Sequence, residues 1–285
     1  MSLVLIAGTR PEMVKLGPVA AALRALGVQP QIIATGQHTD LLEGTPAETD
    51  MAGGIMLGLP STGNVLHYLT QATGAVKRAL ATVEDESLVV VQGDTMSALA
   101  GARAANASGL RVAHVEAGVR SHDLEDPWPE EMNRREITGI AAWHYAASTT
   151  AYANLLTEGI PQNRVRLTGN SGISALARYT DARPIHPPEP HILVTLHRRE
   201  LLHEGVLASV LEGLVEAGKA WPELKFYWPV HPGILPHLPG KLMGPDNVVL
   251  GPPFPYRQLA LLLASATGVV TDSGGVQEEA AALGV

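Results

Sequence analysis

Short apolar runs alternate with amphipathic segments along the first half of the chain. The apolar runs have the length of buried strands, and the amphipathic segments have the periodicity of helices. The predicted strands are 3–8, 31–36, 87–94, 111–116, 143–148 and 164–169, and the predicted helices are 14–26, 97–107 and 133–142. This alternation favours a parallel sheet covered by helices on both faces.

A proline-rich stretch, 181–191, interrupts the pattern, which then starts again. The predicted strands of the second half are 191–197, 225–231, 247–251 and 267–275, and the predicted helices are 204–221, 257–266 and 276–284. We therefore expect a second α/β unit, with domains at 1–168 and 169–285. Two such units place a ligand in the cleft between them, outside the carboxyl ends of the strands.

Composition narrows the class of protein. A length of 285 residues fits two domains, and 46% hydrophobic residues can build a sizeable core. The net charge of -8 argues against nucleic acid as a partner, although a local basic pocket can still bind a phosphorylated ligand. The absence of cysteine excludes disulfides and thiolate metal sites. The N-terminal apolar run is too short for a signal peptide or a membrane span, so we expect a soluble cytoplasmic protein with no membrane partner.

Two strand-to-helix connections in the first half carry candidate chemistry. In GTRPEMVK, Gly8 permits a tight turn, the helix start would present free N–H groups, and Arg10 and Lys15 add two cations. This outlines a phosphate site, and a plain turn with exposed charges is the alternative. In GDT, Asp94 either points into the mouth of the cleft or caps the next helix.

The segment HVEAGVRSHDLEDPWPEEMNRR places Glu116 at a strand end and Glu130 at a helix start. Arg120, Arg134 and Arg135 lie close to them in sequence. One interpretation is a solvated, salt-bridged surface. The other is an acid/base pair beside an anion-binding cluster.

The second half also has polar and charged residues directly after two of its predicted strands. TLHRRE places His197 and two arginines after a strand, which suits phosphate binding or proton transfer. DSGGVQEE offers Gly274 and Gly275 at a helix start for a phosphate and Glu279 for a ribose diol, unless it is only a glycine-rich connection. No two histidines have zinc-ligand spacing with a third ligand, so no metal is predicted.

The motifs GTRPEMVK, TGQH, GDT, HVEAGVR, PWPEEMNR, TLHRRE, PVHP and TDSGGVQEE follow one another along the chain. In this order they resemble the non-hydrolysing UDP-N-acetylglucosamine 2-epimerases. The resemblance implies two Rossmann-like domains of the glycosyltransferase-B type, with UDP-sugar bound in the interdomain cleft. It implies interconversion of UDP-GlcNAc and UDP-ManNAc for polysaccharide biosynthesis, without metal or nicotinamide cofactor. It also implies a homodimer that a second UDP-GlcNAc can activate.

The same resemblance implies roles for individual residues. Asp94, Glu116 and Glu130 would be the acid/base groups, because epimerisation removes the C2 proton from one face and returns it to the other. His197 joins this catalytic set, since the leaving diphosphate carries concentrated charge. The implied substrate contacts are Arg10, Lys15, Arg134, Phe254, Leu259, Ser273, Gly274, Gly275 and Glu279, and the implied activator contacts are Gln37, His38 and His231.

Three features depart from the family pattern. Segment 41–57 does not read as a regular helix, so we expect a remodelled loop there. Pro-Gly follows His231 in place of the family's usual polar pair. The family continues past residue 285 with an arginine-containing loop, so we expect 169–285 to be an incomplete domain.

Other functions stay open at this point. A hydrolysing epimerase that releases ManNAc and UDP has similar motifs, and a catalytically silent UDP-sugar-binding protein is a different class. A glycosyltransferase of the same architecture is disfavoured, because it needs an acceptor site rather than two proton-transferring carboxylates.

Overall fold

The computed structural model describes residues 2–36, 46–60, 64–180, 189–238 and 244–285. The chain divides into two compact units, Met1–Ala175 and Leu176–Val285, each with its own sheet. Gln37 and His38, which the resemblance assigns to an activator site, lie outside the described residues.

Among the described residues, the first unit is built on a parallel sheet of seven strands. The strands are β1 Leu3–Ala7, β2 Gln31–Ala34, β3 Ile55–Met56, β4 Leu88–Gln92, β5 Arg111–Ala117, β6 Trp143–Ala146 and β7 Val165–Leu167. Their order is β3-β2-β1-β4-β5-β6-β7, so the winding reverses between β1 and β4. The carboxyl ends of β1, β4 and β5 therefore lie side by side at the edge where doubly wound sheets bind ligands.

Helices cover both faces of this sheet, which confirms the predicted α/β class. They are α1 Arg10–Ala25, α2 Pro46–Asp50, α3 Val65–Leu80, α4 Met96–Ala107, α5 Glu130–Ile140, α6 Thr149–Thr157 and α7 Ser171–Thr180. Helices α3, α4 and α5 pack on the face that carries Val4 and Ile6. Helix α1 lies over the opposite face, which carries Leu3 and Leu88.

Helix α3 is an element that the sequence interpretation did not name. Asn64 caps it by accepting a hydrogen bond from the His67 amide. Leu69, Ala72 and Val76 recur at helical spacing and are buried in the core. Part of the segment expected to be a remodelled loop forms the short helix α2 and strand β3, and α5 begins three residues earlier than predicted.

Small residues let α4 approach the sheet closely. A side chain at Gly101 would come within 3.0–3.1 Å of Ile6 and Val91 side-chain atoms, and one at Gly8 would overlap the Ser97 hydroxyl. Gly8 is therefore required for packing against α4, which is a reason independent of any ligand. This close packing brings the loops after β1 and β4 together.

The second unit has a parallel sheet with the order β10-β9-β8-β11 in the described residues. Its strands are β8 His191–Thr195, β9 Lys225–Pro229, β10 Val248–Gly251 and β11 Gly268–Thr271, and its helices are α8 Val206–Ala220, α9 Tyr256–Ala264 and α10 Gly274–Leu283. Trp228 packs with α8 on one face, and Leu193 packs with α9 and α10 on the other. Within the described ranges, no helix is long and apolar enough to cross a membrane.

Candidate active site

Asp94 lies in the turn that joins β4 to α4. Thr95, not Asp94, is the N-cap of α4, since the Thr95 hydroxyl accepts from the Ala98 amide at 3.0 Å. The alternative that Asp94 caps this helix is therefore wrong. Its carboxylate instead accepts from Arg134, with Oδ2 lying 2.8 Å from Nε and 2.5 Å from Nη2. Such a charge-assisted contact fixes both side chains at the carboxyl end of β4.

Glu116 has an unusual backbone conformation at the end of β5. Its φ is 64°, a left-handed value that is uncommon for residues other than glycine, and the register to β6 shifts at this position. Its Oε2 atom accepts from Lys15 Nζ at 2.6 Å and from Gln92 Nε2. Strained residues on a strand bulge concentrate at functional sites, so the geometry marks Glu116 as a functional candidate.

Glu130 and Glu131 are adjacent at the start of α5 but have different environments. Glu130 Oε2 is buried and has no hydrogen-bond partner among the described residues. Glu131 is fully buried and accepts from the Ser121 amide, Arg134 and Arg135. Burial works to raise the pKa of Glu131, but these bonds outweigh it and hold the pKa below the usual range. Glu130 thus keeps a carboxylate oxygen for a ligand or a proton, whereas Glu131 is committed to structure.

All three arginines predicted as an anion-binding cluster are paired with carboxylates. The buried Arg120 donates to both oxygens of Glu158 at 2.7 Å and also to Thr138. It holds the pKa of Glu158 below the usual range. Arg135 bonds to Glu131 at 3.0 Å. Both arginines are paired with carboxylates, so the structure favours the salt-bridged interpretation for Arg120 and Arg135.

Three amides around the start of α1 are bound by Glu12 and Thr9, whereas the sequence predicted free N–H groups there. Glu12 Oε2 accepts from the Gly8 amide at 3.1 Å and from the Thr9 amide at 2.7 Å. The Glu12 amide donates to Thr9 Oγ1, which completes a capping box. Glu12 Oε1 accepts from Thr95, so this buried carboxyl joins the loops after β1 and β4. Burial raises the pKa of Glu12, and its hydrogen bonds oppose that shift.

A pocket of about 200 Å³ opens at the carboxyl ends of the strands of the second unit. Its lining includes five residues that the resemblance names, which are His197, His231, Phe254, Leu259 and Ser273. The remaining lining residues are Thr195, Leu196, Pro229, Pro253 and Val276. Apolar walls with a few polar groups suit a planar base and a charged group.

Asp272 holds the loop that follows β8 at the edge of this pocket. Its Oδ2 atom accepts from the amides of His197 and Arg198, both at 2.9 Å. His197 Nδ1 lies 2.8 Å from Asp272 Oδ1, and the His197 ring lies 6.0 Å from the His231 ring. His197 is therefore held at the pocket both through its backbone and through a carboxylate.

Helix α10 begins beside the pocket. Ser273 is its N-cap, and Gly274 and Gly275 are its first two residues, whose amides have no partner within the helix. Glu279 lies further along and accepts from the Tyr256 hydroxyl at 2.8 Å. Tyr256 was not predicted, because the sequence offers no sign that these two residues meet.

A model of the family described as UDP-N-acetylglucosamine 2-epimerase matches residues 21–285. The chain belongs to the UDP-N-acetylglucosamine 2-epimerase family. The UDP-N-acetylglucosamine 2-epimerase of Yersinia pestis is 33% identical over 306 residues, which span 100% of this chain and 80% of that protein.

Two solved structures of epimerases have the same fold. The Neisseria meningitidis UDP-GlcNAc 2-epimerase bound to UDP-GlcNAc has a TM-score of 0.86 at 30% identity, covering 100% of this chain and 81% of that one. The Methanocaldococcus jannaschii UDP-GlcNAc 2-epimerase in complex with UDP-GlcNAc and UDP has a TM-score of 0.85 at 30% identity, covering 100% and 82%. The chain is therefore an isomerase with two Rossmann-like domains of the glycosyltransferase-B type.

In this epimerase family member, several of the candidate residues contact one another within their own unit. In the first unit Lys15 meets Glu116 and Arg134 meets Asp94, while Arg10 is half-buried at the first position of α1. Residues that support them were missed, namely Glu12, Gln92 and Glu131. Only Glu12 had a signal in the sequence, since Thr9 and Glu12 have the spacing of a capping box. No group of three or more possible metal ligands occurs in the part of the chain that the structure describes.

Proposed function

We propose that the chain interconverts UDP-GlcNAc and UDP-ManNAc without hydrolysing them. The observation that carries this proposal is the set of three carboxylates placed by β4, β5 and the start of α5. Asp94 is paired with Arg134, Glu116 is paired with Lys15, and Glu130 keeps a buried oxygen without a partner among the described residues. Carboxylates in different environments can divide acid and base roles between them.

In the proposed reaction, one carboxylate accepts the C2 proton of the sugar. The C–H electron pair forms a C1–C2 double bond, and the C1–O bond breaks with its electron pair leaving on UDP. The 2-acetamidoglucal and UDP stay bound, and a second acid returns a proton to the opposite face of C2. UDP then adds back at C1, so atoms and charge balance and no water is consumed.

The second unit is the proposed nucleotide site. Phe254 and Leu259 line a largely apolar pocket that suits the uracil base, and His197 lines the same pocket with Ser273. The amides at the start of α10 suit the diphosphate, and Glu279 suits the ribose. The homodimer and the activating second UDP-GlcNAc stay predictions from the resemblance.

The deciding experiment is an NMR spectrum of UDP-GlcNAc incubated with the protein in heavy water. We expect UDP-ManNAc to appear, with deuterium at C2 of both UDP-sugars and no free ManNAc. Free ManNAc with UDP would show a hydrolysing epimerase. An unchanged spectrum, with UDP-GlcNAc binding retained in calorimetry, would show a UDP-sugar-binding protein without this activity.

A further inference from the structure

The turn between β4 and α4 is held by hydrogen bonds from two neighbouring elements. The Gly93 amide donates to the Val115 carbonyl of β5 at 3.0 Å. The Gly93 carbonyl lies 2.7 Å from His114 Nε2, also on β5. The Asp94 carbonyl accepts from Asn133 Nδ2 on α5 at 2.7 Å. Both carbonyls of the turn that carries Asp94 are thus bound by a side chain.

The contact with the Gly93 carbonyl fixes the protonation state of His114. Because a carbonyl can only accept, Nε2 must carry the proton and donate it to Gly93. Nδ1 is buried and has no partner among the described residues, so the neutral Nε2–H form leaves no donor unsatisfied. Burial lowers the pKa of His114 to about 4, with His144, Arg120 and Arg134 adding to the effect. The imidazole therefore stays a neutral donor throughout the neutral pH range.

The side chain of Asn133 is also held in one arrangement. It is fully buried, its amide donates to the Asp94 carbonyl, and its Oδ1 has no partner in the described ranges. Arg134, the next residue, binds the Asp94 carboxylate, and Glu130 lies three residues before Asn133 on the same helix. Asn133 therefore ties the helix that carries Glu130 to the backbone of Asp94.

We propose that His114 and Asn133 are positioning residues that set Asp94 relative to Glu116 and Glu130. His114 does so from the strand that carries Glu116, and Asn133 from the helix that carries Glu130. Both side chains are buried and bonded to the backbone of the turn, so both act through the turn. This inference rests on the proposed epimerisation, in which carboxylates on separate elements must address the same carbon atom. A displacement of about 1 Å can cost such a reaction about a hundredfold in rate.

The test compares His114→Met, which removes the donor, with His114→Gln, whose amide can donate to Gly93. The matched control is His144→Met, because His144 is the Cα partner of His114 on β6, is equally buried, and has its pKa lowered to about 4 in the same way. We expect kcat for UDP-GlcNAc to fall about 10- to 100-fold in His114→Met, with UDP affinity within about threefold of the wild type. His114→Gln should recover most of the loss, and His144→Met should keep the rate of the wild type per folded molecule. Equal losses in both methionine variants, or no recovery with glutamine, would overturn the proposal.

A second measurement does not depend on activity. Amide hydrogen exchange of the segment 88–99, read by mass spectrometry without nucleotide, should become faster in His114→Met than in His144→Met. Equal exchange in this segment would overturn the positioning role even if the wild type epimerises. If the wild type forms no UDP-ManNAc but this segment still exchanges faster in His114→Met than in His144→Met, the epimerase function is rejected and the hold of His114 on the turn stands. If His114→Met does not fold, Asn133→Leu carries the same expectations, and unchanged exchange and rate in that variant would overturn the proposal.

Discussion

Lys15 Nζ lies 2.6 Å from Glu116 Oε2, although 101 positions separate the two residues in the sequence. The contact arises because β1 pairs with β4 and β4 pairs with β5, which brings the residues after β1 close to the end of β5. The same carboxylate oxygen also accepts from Gln92. Lys15 is thus part of the surroundings of a candidate acid/base group, whereas the sequence interpretation made it a substrate contact.

Replacing Lys15 by Met should therefore affect turnover more than nucleotide binding. The variant keeps the aliphatic stem but leaves the Glu116 carboxylate with Gln92 as its remaining bonded partner among the described residues. We expect kcat to fall about 10- to 100-fold, as for a loosened general acid or base, and UDP affinity to stay within about threefold. Calorimetric titration with UDP beside initial rates measures both quantities. A tenfold or larger loss of UDP affinity with kcat retained would return Lys15 to the role of a phosphate ligand.

Substitution of Glu130 should affect catalysis, whereas substitution of the adjacent Glu131 should affect stability. Glu130→Gln should reduce turnover about 10²- to 10⁴-fold with little change in unfolding, since its buried oxygen has no structural partner in the described residues. Glu131→Gln should destabilise the fold by about 3 kcal/mol, because it leaves Arg134 and Arg135 without their shared carboxylate. Urea unfolding and initial rates on both variants measure the difference. The reverse outcome, with Glu131→Gln stable and inactive, would exchange the two assignments.

The backbone conformation of Glu116 predicts which of two substitutions at this position gives the more stable protein. Glycine adopts its φ of 64° without strain, whereas alanine does not. Glu116→Gly should therefore be more stable than Glu116→Ala by roughly 0.5–1 kcal/mol, although both lose the bonds to Lys15 and Gln92. At Ala146, which ends β6, an Ala→Gly change should have the opposite, destabilising effect. Urea unfolding of the three variants is the measurement, and an alanine variant at 116 as stable as the glycine variant would contradict the strain.

Two buried histidines should weaken the fold in acid. Burial is the largest cause that lowers the pKa of His114 and of His144, each from 6.5 to about 4. Well above pH 6.5 both residues are neutral in the folded and unfolded chain, so they add no pH dependence there. As the pH falls from 6.5 to about 4 the unfolded chain takes up protons first, which costs the fold at most roughly 3 kcal/mol per histidine.

Glu12 opposes this trend, because its pKa in the folded protein is raised above the ordinary value of 4.5. As the pH falls, the Glu12 carboxyl is therefore protonated first in the folded chain, which stabilises the fold. The comparison that isolates a histidine is therefore wild type against His144→Gln. We expect the free energy of unfolding of the variant to fall less steeply between pH 6.5 and 4, with the two curves becoming parallel well above pH 6.5. Parallel curves over the whole range would show that His144 does not stay neutral in the folded protein.

The sequence alone determined the class of fold and the family. The alternation of apolar runs with helical spacing predicted parallel sheets, because strands buried on both faces read as continuous apolar runs. The order of the motifs predicted the family. It also named Asp94, Glu116 and Glu130 as the acid/base set, and that assignment stays a prediction.

Only the tertiary structure decided which groups meet. Glu130 and Glu131 are both acids at a helix start, but successive residues point about 100° apart around a helix. One therefore enters the network of Ser121, Arg134 and Arg135, and the other keeps a buried oxygen free of partners among the described residues. Glu12, Lys15 and Thr9 share a single motif, yet two of them close a capping box and the third reaches Glu116. Such contacts depend on which strands are neighbours in the sheet. Strand order is a property of the folded sheet, and the spacing of residues along the sequence does not specify it.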